Sequence, residues 1–148
     1  MEFILPYFTF IIALFIIWFM PKYLSRREIY ITWGWMAALT VYTDLILGVI
    51  FDLYDFGNEP AIDFFDLPLQ ATLAPSAAII ILNFMPRSKK SFILYLVAVV
   101  LFSIFYEWLC TLTGYIVPKG WKLWYSAPFY LLGTLFIRWH LFFLRKKS

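Results

Sequence analysis

Two carboxylates stand inside apolar runs, and they are the residues of this chain best placed to do chemistry. Glu107 interrupts SIFYEWLCTLTGYIV, and Asp44 interrupts VYTDLI. An acid near the middle of a bilayer costs about 2.5 to 3.5 kcal/mol on insertion scales, so it marks a candidate site by default. Two such acids in one environment push their pKa values apart, which suits proton transfer. Carboxylates beside aromatic faces suit a cation instead, with each ring adding about 0.5 to 2 kcal/mol. The plainer alternative is interhelical glue, each acid protonated or hydrogen-bonded to Tyr42, Tyr106 or a serine.

Positioning two intramembrane acids requires helices, and the composition supplies them. The chain has 148 residues, 64% hydrophobic, 23% aromatic and 14% charged, with a mean hydropathy of +0.81. Soluble domains are only about 45 to 50% apolar. A hydrocarbon core about 30 Å thick needs roughly 20 apolar residues per helix. Five stretches meet that need: Phe3 to Met20, Ile29 to Phe51, Leu67 to Met85, Phe92 to Tyr115 and Leu123 to Leu144. The expectation is an all-α integral membrane protein, a single transmembrane domain of five helices. The first stretch lacks a basic leader and a small-residue cleavage pattern, so it reads as a retained span.

Charge placement predicts the orientation. Lys22, Arg26 and Arg27 follow span one, Arg87, Lys89 and Lys90 follow span three, and Arg145, Lys146 and Lys147 end the sequence. Alternating spans put all of them on one side, which the positive-inside rule makes cytoplasmic. The N-terminus then faces out and the C-terminus in. Asp52, Asp55, Glu59, Asp63 and Asp66 collect in one connection on the opposite, outer face, against Lys119 and Lys122 in the other.

Helical periodicity predicts which faces turn inward. Thr40, Asp44, Gly48 and Asp52 recur every four residues in span two; Ser103, Glu107, Cys110, Thr111 and Gly114 share a stripe in span four. Gln70, Ala74, Ala77 and Ala78 of span three and Ser126, Tyr130, Gly133 and Thr134 of span five do likewise. Spans two to five are therefore expected to form a four-helix core, with span one at its periphery. Asp44 and Glu107 both fall about 11 Å below the outer boundary. Gln70, Tyr106, Trp108, Trp121, Tyr130 and Asp52 complete the expected acidic and aromatic pocket. A kink is expected at Pro75 inside span three. Arg138 and His140 are expected at the cytoplasmic interface.

Several chemistries lack their residues. Lone Cys110 and His140 exclude a disulfide within the chain and argue against a zinc or cluster site. No phosphate-cradling glycine loop, His-Glu-x-x-His or Gly-x-Ser-x-Gly motif occurs. No metal, cofactor or nucleic-acid partner is expected, and the balance leans away from an enzyme.

At VYTDLI, IVPKGWKLWYSAPFY and FIRWHLFFLRKK the chain resembles an uncharacterised family of small multi-pass proteins of Bacillus and related spore-forming Firmicutes. Asp44, Pro75, Pro86, Tyr106, Glu107, Gly120, Trp121, Ser126, Arg138 and His140 carry the likeness, which covers Tyr42 to Lys147. The resemblance implies a Gram-positive plasma membrane and no particular activity.

Three functions remain open on these residues. The leading expectation is a membrane protein whose outward-facing pocket binds a small cationic or amphiphilic ligand, for transport or sensing. The second is an auxiliary subunit, its acids serving assembly with a membrane partner or another copy of itself. The third is an intramembrane enzyme using Asp44 and Glu107 as acid and base on a lipid-like substrate.

Overall fold

Serines, prolines and one glycine set the helix limits. Ser25 opens α2 (Arg26–Asp44) with a reciprocal capping box: its hydroxyl accepts from Glu28 N–H at 3.2 Å, and its own N–H donates to Glu28 Oε2 at 2.8 Å. Ser88 caps α4 (Lys89–Leu112) by accepting from Ser91 N–H. Pro68 sits in the first turn of α3 (Leu67–Asn83), where its missing N–H has no partner to lose. Pro21 follows α1 (Ile4–Phe19) closely, and Pro86 follows α3. Gly114, at φ +79°, closes α4: its N–H donates to Thr111 O at 3.2 Å and that of Tyr115 to Cys110 O at 3.0 Å. A 3₁₀ turn, Leu123–Tyr125, leads into α5 (Ser126–Lys146).

The computed structural model describes residues 1–57 and 64–146. Asn58, Glu59, Pro60 and Asp63 of the acidic connection, and Lys147, lie outside the described residues. Among the described residues one element departs from an all-α chain. Strand β1 (Tyr54–Phe56) pairs antiparallel with β2 (Ile116–Pro118), Tyr54 opposite Pro118 and Phe56 opposite Ile116. Segments of three residues are too short to show an alternating pattern, so nothing in the hydropathy separates them from ordinary connections. This ribbon ties the end of α2 to the end of α4.

Helix α3 occupies the centre, touching α1, α2 and α5, while α4 rests mainly on α5. The packing departs from the expected core of spans two to five: α1, expected at the periphery, lies along α3 and buries Pro6 and Ala13, while α4 packs mainly on α5 rather than on α2 or α3. Pro75 lies buried within α3, which continues past it. Ala78, Ile79 and Leu82 pack with Met20, Leu24, Ile137 and Leu141 in one cluster; Leu69, Cys110 and Tyr115 form another nearer the ribbon. Outside these clusters the helices expose Trp18, Tyr30, Leu94, Phe102 and Leu132. An apolar exterior of that kind fits lipid as solvent. Arg26–Ile50, Lys89–Leu112 and Leu123–Lys146 are each long and apolar enough to cross a membrane, while Ile4–Phe19 and Leu67–Asn83 are shorter apolar helices.

The end remote from the ribbon is held by polar side chains. Asn83 accepts from Tyr23 N–H at 2.9 Å and donates to Pro21 O at 2.8 Å, fastening the α1–α2 turn to α3. Arg145 donates to Glu28 Oε1 at 2.7 Å, which places the start of α2 beside the end of α5. Arg138 lies over the Phe92 ring, 3.5 Å from its centroid. His140, expected at the interface, is only 6% exposed and stacks on Phe136. Its Nε2 is buried without a hydrogen-bond partner among the described residues.

Candidate functional site

Three carboxylates gather beneath the ribbon, and each accepts a tyrosine hydroxyl. The first is Glu107, five residues before the end of α4. Ser126 Oγ, at the start of α5, donates to Glu107 Oε1 at 2.6 Å. Tyr130, one helical turn further along α5, donates to Oε2 at 2.5 Å. Trp121 Nε1 reaches Oε1 at 3.2 Å and Ser126 Oγ at 2.9 Å. The indole is delivered by backbone geometry: the Leu53 carbonyl accepts from the N–H groups of Lys119, Gly120 and Trp121 at 2.9, 3.0 and 3.1 Å. Both Glu107 oxygens are therefore occupied, and the residue is 7% exposed.

Asp44 is held differently. It ends the regular part of α2, immediately before the π-helical segment Leu45–Ile50. A π segment widens the helix and often marks a functional position. Tyr54, on β1, donates its hydroxyl to Asp44 Oδ1 at 2.8 Å. Gly48 permits this approach, because a Cβ there would meet Tyr54 O at 3.3 Å and the Tyr54 ring at 3.5 Å. The other oxygen, Oδ2, accepts no hydrogen bond from the described residues, and Asp44 is only partly buried.

Asp66 is the third acid and the most deeply buried, at 0% exposure. Gln70 Nε2, one turn along α3, donates to its Oδ2 at 2.5 Å, and Tyr115 donates to Oδ1 at 2.9 Å. Burial holds the Tyr54 hydroxyl far above the usual phenol range, reinforced by the charges of Asp44, Glu107 and Asp66. Tyr115 is raised in the same way, by burial first and then by Asp66, with Asp44 contributing. Both phenols accordingly remain protonated donors. The acids also share one electrostatic neighbourhood, since all three act on Tyr54.

Positive charge stays outside this cluster. Lys119 pairs with Asp52 at 2.6 Å and Asp55 at 2.9 Å on the exposed side of the ribbon. Its ammonium is held above the usual lysine range by the hydrogen bonds to Asp52 and Asp55. Among the described residues the ion pairs are these two and Arg145–Glu28, and none reaches Asp44 or Glu107. No three acidic, histidine or cysteine side chains among the described residues are grouped to hold a metal ion.

Of the residues expected in the pocket, Glu107, Trp121 and Tyr130 share one hydrogen-bond network, Asp44 is joined to it through Tyr54, whose ring meets that of Trp121, and Gln70 bonds Asp66. Tyr106 instead packs on the Leu69–Cys110–Tyr115 cluster, its hydroxyl without a partner among the described residues. Trp108 faces outward at 44% exposure, against Phe105. Asp52 turns away to Lys119, because the π segment and its own left-handed backbone, φ +51°, break the four-residue phase that connected it with Asp44. Tyr54, Tyr115 and the burial of Asp66 escape a reading based on helical stripes. The one available signal is Asp66 four residues before Gln70, at the mouth of a helix with proline in its first turn.

No family model, curated protein or solved structure matches this chain.

Proposed function

We propose that this chain is a five-span membrane protein, N-terminus out and C-terminus in, that binds a small organic cation at the carboxylate cluster, with Asp44 as the contacting acid. One observation carries this reading. Asp44 presents an oxygen that accepts no hydrogen bond from the described residues, and no described cation neutralises it. A half-buried carboxylate is stabilised by a counter-charge where it does not take up a proton, and a cationic ligand would supply that charge. Trp121 and Tyr54, edge to face at 5.7 Å, add ring faces beside it.

The proposed orientation has support from the Arg145–Glu28 pair, which sets the basic end of α5 beside the basic start of α2. The ribbon and its acids then occupy the outer face of a Gram-positive plasma membrane. A cysteine at Lys119 should react with an impermeant thiol reagent in intact cells and one at Ser88 should not; the reverse would overturn the orientation. Purified protein titrated with tetramethylammonium and methylammonium should show saturable tryptophan quenching. No saturable response to either ion would remove the cation-binding reading.

A lateral surface favours the subunit reading as a second possibility. A groove of about 810 Å³ runs along α2, lined by Arg26, Tyr30, Gly34 and Ala38 at four-residue intervals. A Cβ at Gly34 would meet nothing within 4 Å, so this small-residue face is unused within the chain. Gly34→Leu should abolish any co-purifying assembly and leave the quenching titration unchanged; a lone chain unaffected by it would count against a subunit role.

A further inference from the structure

The groove along α2 has one charged end. Arg26 opens it, and among the described residues no carboxylate pairs with Arg26, since the ion pairs there join Lys119 to Asp52 and Asp55 and Arg145 to Glu28. Tyr30, one turn along and 81% exposed, brings a hydroxyl to the same end. Beyond it the lining turns apolar: Gly34 and Ala38 form the floor, with Trp33 on one flank and Trp35 on the other. From Arg26 to Ala38 the helix rises about 18 Å. That is close to one leaflet of a hydrocarbon core about 30 Å thick. The helix carrying the groove, Arg26–Ile50, is itself long and apolar enough to cross a membrane. Tyr42, next in the four-residue row, is 68% exposed and ends the run of small residues.

We propose that this groove holds one anionic phospholipid, its phosphate on Arg26 and an acyl chain laid over Gly34 and Ala38. Charge selects the headgroup: a guanidinium without an acid partner matches a phosphate in a bidentate fork, while a choline headgroup brings a like charge to the same end. The volume of about 810 Å³ and the apolar lining below Tyr30 suit a chain. The subunit reading would seat a helix in this groove instead. Helices pack on small residues by close backbone approach, and the exposed rings of Tyr30 and Tyr42 stand in the same row on either side of Gly34 and Ala38. Those rings hold a helix away from the floor, whereas a flexible acyl chain passes between them. The lipid site is separate from the carboxylate cluster and does not depend on cation binding there.

The test is native mass spectrometry of the intact protein in detergent, titrated with phosphatidylglycerol and with phosphatidylcholine of the same acyl chains. Phosphatidylglycerol should bind about tenfold more tightly, the scale of one charge-assisted contact. Arg26→Gln should remove the preference, and Arg27→Gln, at a residue outside the groove lining, should keep it. Gly34→Leu, which fills the floor, should weaken phosphatidylglycerol binding by at least about tenfold. Equal binding of the two lipids to wild type would overturn the proposal, as would a preference that survives Arg26→Gln. A Gly34→Leu protein that changes from dimer to monomer while retaining lipid as wild type does would give the groove to a helix of a second copy and overturn it too. Arg26 is exposed, so Arg26→Gln leaves the packed core intact and the comparison with wild type decides the matter even if Gly34→Leu fails to fold.

Discussion

The Tyr54 hydroxyl bonds Asp44 Oδ1 at 2.8 Å, so the ribbon is latched to α2 through the same carboxylate that leaves its second oxygen open. The latch orients the acid while leaving half of it unused. Tyr54→Phe removes the donor and strands a partly buried oxygen, at a cost of about 1 to 3 kcal/mol. Thermal unfolding should register that loss, and ligand affinity should fall with it because Asp44 is free to rotate. Unchanged stability would mean that the ribbon is held by its backbone and aromatic contacts alone.

Glu107 behaves as a structural acid on this geometry. From the sequence, Glu107→Gln looks tolerable, since glutamine keeps most of the hydrogen-bonding capacity and sheds a buried charge. With Ser126, Trp121 and Tyr130 all donating to the carboxylate, the glutamine amide must turn its own donors toward one of them. Glu107→Gln should therefore lower stability by about 1 to 3 kcal/mol. A melting temperature equal to wild type would show that Tyr130 and Ser126 can reverse their hydroxyls without loss.

Alkaline pH offers an independent probe of the ribbon. Tyr54 and Tyr115 are raised by burial, and Lys119 by its bonds to Asp52 and Asp55, so the folded state holds these protons more tightly than the unfolded chain. Their contribution is fully present below the ordinary tyrosine and lysine values, about 10 to 10.4, and is lost as pH climbs through the raised folded values. Melting temperature should fall above about pH 10, and Tyr115→Phe should fall less steeply. A flat profile through that range would contradict the buried, protonated phenols.

Asp44 and Glu107 are legible in the sequence because a carboxylate contrasts sharply with hydrophobic neighbours. Ser126 and Tyr130 are legible as one helical stripe, and Trp121 as part of an aromatic concentration. Asp66, Tyr54 and Tyr115 are not, because polar residues in a connection look the same whether water or a ribbon covers them. The ribbon itself comes from backbone hydrogen bonding over segments too short to carry a pattern. A regular helix carried through Asp52 would align it with Asp44, but Leu45–Ile50 form a π segment, which shifts the phase of everything after it. Trp108 faces outward, since a tryptophan near a membrane boundary is as much at home against lipid as in a pocket.

Binding of methylammonium to Asp44→Asn tests the central claim most directly. Asparagine keeps an oxygen for the Tyr54 hydroxyl, so the latch and the fold should survive, while the open position becomes an uncharged donor. The account predicts near-wild-type melting and at least about tenfold weaker binding, the scale of a lost charge-assisted contact. Wild-type affinity in a folded Asp44→Asn protein would contradict it.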